Sequence, residues 1–171
     1  LETKRLGRGM LVVAWLGVLA LLTWLFDGEI ARQLNPNPSP QGALGADGTL
    51  EVVLQRNARG HYVAGGRING RPVEFLLDTG ATDVAVPLAL AERLGLPRLG
   101  TGMSRTANGV VQTWRSRLDR VSVGPIELAD VRASVLPGMA GDDHVLLGMS
   151  FLKRLELEQR GDTLTLRQPV N

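Results

Sequence analysis

Apolar and polar positions follow two rhythms along this chain. Residues 9–26 form an unbroken stretch of 18 uncharged residues, GMLVVAWLGVLALLTWLF. As a helix at about 1.5 Å per residue, the stretch spans roughly 27 Å, close to the hydrocarbon thickness of a bilayer. Beyond residue 48 the apolar runs are short, often alternate with polar positions, and are separated by Gly, Asn and Pro. That rhythm predicts strands at 50–56, 61–68, 71–77, near 103–107, 110–123, 126–128, 131–135, 155–159 and 164–167, with short apolar runs at 84–87 and 145–147. Asn69-Gly70 and Asn108-Gly109 are hairpin signals, because both residue types tolerate positive φ. Leu88–Leu94 reads as a helix closed by Gly95, and a second short helix is predicted over 149–155. Many short strands at turn-limited spacing predict an all-β domain, closed or sandwich-like, with one or two short helices.

The first segment is longer than the apolar core of a signal peptide, about 7–15 residues, and ends on the bulky Trp24-Leu25-Phe26. An uncleaved anchor is therefore favoured over cleavage at Val18-Leu19-Ala20 and over a buried core helix. Lys4, Arg5 and Arg8 precede the stretch, while Asp27 and Glu29 follow it. The excess of positive charge on the cytoplasmic side then leaves residues 1–8 in the cytoplasm, 9–26 as a single transmembrane helix and the rest outside. This implies a single-pass protein of the cytoplasmic (inner) membrane, with its domain in the periplasm of a Gram-negative cell. Residues 27–48, with Pro36, Pro38 and Pro40 among polar and small residues, read as a semi-rigid linker. Residues 49–171 are the expected domain. The chain opens on Leu1 rather than Met, as a trimmed start would.

Composition narrows the chemistry. At 171 residues and 18.4 kDa there is room for one core. There is no cysteine, which excludes disulfides, a thiol nucleophile and cysteine-based metal sites. Only His61 and His144 could supply imidazole, so a multi-histidine metal centre is disfavoured. The pI near 9.7 suggests a basic protein, but the excess is local. Three basic residues and one acidic residue lie before residue 9, and the remaining charges balance. No basic stripe with interleaved aromatics is present, so no nucleic-acid partner is expected.

Asp142-Asp143-His144 reads as a solvated turn rather than a metal corner. Gly148-Met149-Ser150 begins a G-x-S pattern, but Leu152 stands where the closing Gly belongs, so no nucleophile elbow is expected. Gly100-Thr101-Gly102 begins a dinucleotide-like pattern that Arg105 breaks. Arg115, Arg117 and Arg120 read as a solvated strand face, His61 as a strand residue without a catalytic role, and Trp114 as a core anchor rather than a substrate-facing group.

The chemically loaded segment is FLLDTGAT, residues 75–82. An apolar strand delivers the Asp78 carboxylate to its end and the chain turns at once. Gly80 permits the tight turn, and the Thr79 hydroxyl can lock a loop. Asp, Thr and Gly are also common in Asx-type turns, so the triplet alone decides little. Two further pieces follow in order: TANGVVQTW (106–114) and HVLLGMSFL (144–152). With all three, the chain resembles the retropepsins, the single-domain aspartic proteases, and most closely their membrane-anchored bacterial branch. The resemblance covers roughly residues 50–168. It implies a closed retropepsin-like β-barrel, catalytic Asp78, supporting Thr79 and Gly80, and substrate contacts at Ala81, Asn108 and Gly109. It also implies that no cofactor or metal is used. Many viral members carry an Asp two residues after the triplet's glycine, paired with an Arg just after the later apolar-Gly element. Thr82 and Met149 stand in those places, so both partners are absent together and no lone buried charge results.

The chemistry needs two carboxylates about 3 Å apart sharing one proton. No second D-[ST]-G occurs in the chain. The expected active form is a homodimer with one Asp78 from each copy across a two-fold axis. It would be an aspartic endopeptidase acting on polypeptide and held at the membrane by residues 9–26. The alternative is the same fold used as a non-catalytic dimerisation or peptide-binding module on the membrane.

Overall fold

In the computed structural model the described residues are 2–45, 48–106, 109–137, 139 and 144–169. The chain divides into two units, residues 1–34 and 35–171. The first is one helix, α1 (Glu2–Leu34). Its Gly9–Leu34 portion is long and apolar enough to cross a membrane. The helix does not stop at Asp27, where the linker was expected. Residues 27–34 contain no proline, and the Gln33 side chain donates to Glu29 one turn back at 3.5 Å. The first proline is Pro36, and the residue before a proline is pushed out of helical geometry.

The second unit is mostly β. A four-stranded antiparallel sheet has the order β1 (Gly42–Leu44), β2 (Leu50–Gln55), β11 (Thr163–Gln168), β10 (Glu156–Arg160). A seven-stranded sheet has the order β3-β4-β9-β5-β8-β7-β6. These strands are β3 (Val63–Ile68), β4 (Arg71–Leu77), β5 (Val84–Pro87), β6 (Gly100–Thr106), β7 (Gly109–Val123), β8 (Ile126–Leu136) and β9 (His144–Leu147). Two short helices, α2 (Leu88–Leu94) and α3 (Met149–Leu152), complete it. Where one closed barrel was expected, the strands form two sheets. Only a two-residue pairing, Arg67 with Ser122 and Ile68 with Val121, joins β3 at one edge of the larger sheet to β7 near the other.

Sequence explains most of these elements. Asn69 and Gly70 take φ of 50° and 80° at the β3–β4 turn, the left-handed pair that a two-residue hairpin requires. Along β7, Ser116, Leu118, Val121 and Val123 are buried while Arg115, Arg117 and Arg120 face solvent. Arg117 pairs with Asp130 at 2.6 Å, so this arginine face is solvated as expected. The core packs Phe75, Ile68, Leu118, Ile126, Val145, Leu147 and Phe151, all fully buried.

Three further expectations are corrected. The two strands predicted at 126–128 and 131–135 are one strand, β8, whose register against β7 is the same on both sides of Asp130. His61 lies before β3 rather than in it, its amide donating to the Asn57 side chain at 2.9 Å. The segment expected as a spacer is partly built into the body. Asn35 and Asn37 are buried. The Asn37 amide donates to the carbonyls of Gln55 (2.9 Å) and Val63 (2.7 Å), and its oxygen accepts from the Gln55 N–H at 2.7 Å. Gly65 N–H donates to the Asn37 carbonyl at 2.8 Å, and residues 42–44 pair with β2. Residues 35–44 therefore act as a strap. Prolines prevent a helix here, but buried amide side chains provide another way to satisfy the backbone.

Candidate active site

Strand β4 runs parallel to β9, with Phe75 opposite Val145 and Leu77 opposite Leu147. Phe75 of β4 and Val145 and Leu147 of β9 are buried in the core, while the neighbouring Leu76, Leu77 and Leu146 are half-buried. Asp78 extends the ladder by one step, its N–H donating to the Leu147 carbonyl at 3.2 Å. The chain then turns: Ala81 N–H donates to the Asp78 carbonyl at 3.2 Å, and Gly80 N–H donates to Asp78 Oδ1 at 2.8 Å. The carboxylate is thus oriented by its own loop. Asp78 is half-buried, while Thr79 and Gly80 are exposed. Among the described residues neither Asp78 Oδ2 nor the Thr79 hydroxyl has a hydrogen-bond partner within the chain. The expected lock through Thr79 is therefore not made inside a single chain.

The rest of the loop is held by the first residues of α3. Met149 N–H donates to the Ala81 carbonyl at 2.8 Å, and Ser150 N–H to the Thr82 carbonyl at 2.9 Å. Ala81, expected at the substrate, thus has its carbonyl committed to α3. Gly148 makes this close approach possible. A Cβ there would sit 2.2 Å from the Asp83 carbonyl oxygen and 2.7 Å from that of Ala81. The Leu-Leu-Gly element and the Asp-Thr-Gly loop, about seventy residues apart, are thereby brought together.

The β6–β7 hairpin is in place, with Met103 opposite Gln112 and Arg105 opposite Val110. Gly109 opens β7, exposed and at φ 109°. Asn108, the expected tip residue, lies outside the described residues, as do Asp142 and Asp143. Trp114 is half-buried against the core, with the Arg98 guanidinium 4.8 Å from its ring centroid. His144 Nδ1 lies 2.7 Å from Glu74 Oε1. No group of three His, Asp or Glu that could hold a metal occurs among the described residues.

Sequence reading missed one charged pair at the loop. Asp83 sits just past Thr82 and meets Arg132 Nε from β8 at 3.3 Å, with Ser134 Oγ at 3.5 Å. No local signal in the sequence marks this pair. The partner lies on a strand 49 residues away in sequence, and only the parallel β5–β8 pairing brings it close.

A family model described as "gag-polyprotein putative aspartyl protease" matches residues 64–154, which contain both the Asp78 loop and α3. An uncharacterized protein from the cobV 5′ region of a Sinorhizobium species is 37% identical over 126 residues, 71% of this chain and 54% of that protein. An uncharacterized protein of Rickettsia prowazekii (strain Madrid E) is 31% identical over 109 residues, 62% of this chain and 46% of that protein. The chain thus spans about half the length of the curated relatives it matches. Among solved structures, a retropepsin-like aspartic protease from Rickettsia conorii aligns with a TM-score of 0.59 at 28% identity, covering 76% of this chain and 96% of that one.

Proposed function

The chain belongs to the retropepsin-like aspartic protease family, and on that premise we propose that it is an aspartic endopeptidase whose active unit is a homodimer. The observation that carries this reading is the placement of Asp78. It stands at the end of β4, which runs parallel to β9, one oxygen held by the Gly80 N–H and the other unpartnered among the described residues. A second Asp78, brought about 3 Å away across a two-fold axis, completes the dyad, in which like charges that close share one proton. The ionised partner takes a proton from a water, which attacks the scissile carbonyl, and the protonated partner donates to the carbonyl oxygen. The pair titrates as a unit. An extended polypeptide lies under the β6–β7 hairpins as an added strand, contacting Ala81, Asn108 and Gly109. Neither metal nor cofactor takes part.

Helix α1 serves as the membrane anchor. Lys4, Arg5 and Arg8 precede its apolar stretch, which favours a cytoplasmic N-terminus and a body outside the cytoplasm. Confinement to a bilayer raises the effective concentration of partner copies and favours the dimer.

The test is Asp78→Asn in the full chain, reconstituted in detergent micelles and assayed on an unstructured polypeptide. Cleavage is expected to fall by about 10²–10⁴-fold while the circular dichroism spectrum is kept. Cleavage at the wild-type rate would overturn the reading. A folded wild-type dimer that cleaves nothing would leave the non-catalytic module in its place.

A further inference from the structure

Ser150 is a buried polar side chain next to the Asp78 loop that the proposed chemistry does not use. It is the second residue of α3 and only 6% exposed. Its hydroxyl donates to the Arg132 carbonyl on β8 at 2.7 Å and accepts from the Val84 N–H at the start of β5 at 3.0 Å. Its own N–H holds the Thr82 carbonyl. The segment between Asp78 and Val84 is therefore gripped at both ends by one short piece of chain. Leu147 takes the Asp78 N–H at the entrance, and Ser150 takes Thr82 and Val84 at the exit. Within the grip, the loop's own turn consists of two hydrogen bonds centred on Asp78. Arg132 joins in twice, giving its carbonyl to Ser150 and its guanidinium to Asp83.

We infer that the Ser150 hydroxyl is a positioning group for Asp78, resting on the proteolytic reading above. It fixes where β5 leaves the loop, and so where the loop presents the carboxylate to its twin. The hydroxyl bridges the Val84 N–H and the Arg132 C=O at the start of the parallel β5–β8 pairing; without it the two groups must either close the gap and pair directly or lose a partner, and closing the gap shifts where β5 leaves the loop. Ser150 is no nucleophile. It is buried, and its one O–H is committed to the Arg132 carbonyl while it accepts from the Val84 N–H.

The test compares Ser150→Ala, Ser150→Thr and Ser150→Val in the full chain, with wild type and Asp78→Asn alongside. All are assayed below the lowest melting temperature of the set. Thr and Val match in volume and differ in the hydroxyl, so the pair separates hydrogen bonding from size. Ala and Val are expected to lower kcat by about 10–100-fold with KM changed less than about 2-fold. They should also displace the alkaline limb of the pH profile, because the spacing of the dyad sets its shared proton. Thr should restore kcat to within about 3-fold of wild type and restore the profile. Wild-type kcat and pH profile in Ala and Val would overturn the inference, whatever happens to their melting temperature. Equal losses in Thr and Val would also overturn it, since size alone would then account for them. If wild type shows no Asp78-dependent cleavage, the proteolytic reading fails first and takes this inference with it, an outcome separate from the other two.

Discussion

Replacing Gly148 with Ala probes the contact between α3 and the Asp78 loop. The backbone there is extended, at φ −87° and ψ −175°, so alanine meets no torsional penalty and the effect is one of space alone. The new Cβ would stand 2.2 Å from the Asp83 carbonyl oxygen and 2.7 Å from that of Ala81. Both obstacles are backbone, and neither can swing aside as a flexible side chain would. The loop must retreat by the better part of an ångström, stretching the Met149–Ala81 and Ser150–Thr82 bonds that hold it. Overpacking of this kind costs about 1–3 kcal/mol. For a body of this size that is a fall of roughly 3–10 °C in melting temperature. A displacement of that order at a reacting carboxylate costs about 10²-fold in kcat. Thermal unfolding followed by circular dichroism and hydrolysis of a peptide substrate measure the two effects on one preparation. A variant that melts and cleaves like wild type would refute the packing argument. One that melts lower yet keeps its kcat would refute the link between Gly148 and Asp78.

Three other outcomes follow from the structure. Asn37→Ala removes the three side-chain hydrogen bonds that tie the strap to Gln55 and Val63. It should destabilise the body by about 2–4 kcal/mol and expose residues 35–44 to limited proteolysis, and wild-type protection would show that the strap is not held as described. On the outer face of the four-stranded sheet, hydrogen bonds from Arg167 and then Arg160 hold the Glu158 carboxyl below its ordinary pKa. A lowered folded-state pKa contributes stability above the usual carboxylate range that is lost as pH falls through the folded value. Melting temperature should therefore drop on acidification, and less steeply in Glu158→Gln; parallel curves would count against this. Peptide cleavage should decline at alkaline pH as the dyad loses its shared proton, and a rate still climbing above neutrality would contradict a dyad.

Local patterns carried much of the fold. The alternation along β7, the Asn69-Gly70 turn and the Leu-Ala helix closed by Gly95 are properties of a few adjacent residues, and the structure has each where it was expected. The Asp-Thr-Gly loop was legible for the same reason. What failed to show was anything decided between distant segments. Residues 126–128 and 131–135 read as two short strands, yet the backbone register against β7 runs unchanged past Asp130, which stands at φ 59°. Residues 35–44 have a linker's composition, and composition does not reveal that Asn35 and Asn37 have buried partners. The Asp83–Arg132 pair and the two-sided hold of Ser150 depend on β8 lying beside β5, a parallel pairing with no signature in either strand alone.

The central claim is that one competent site needs a carboxylate from each of two chains. It is tested most directly by co-refolding wild type with increasing proportions of Asp78→Asn at constant total protein and measuring peptide cleavage. If catalysis requires both copies of Asp78, activity falls as the square of the wild-type fraction. Activity that falls only in proportion to that fraction would mean each chain works alone, and would contradict the account.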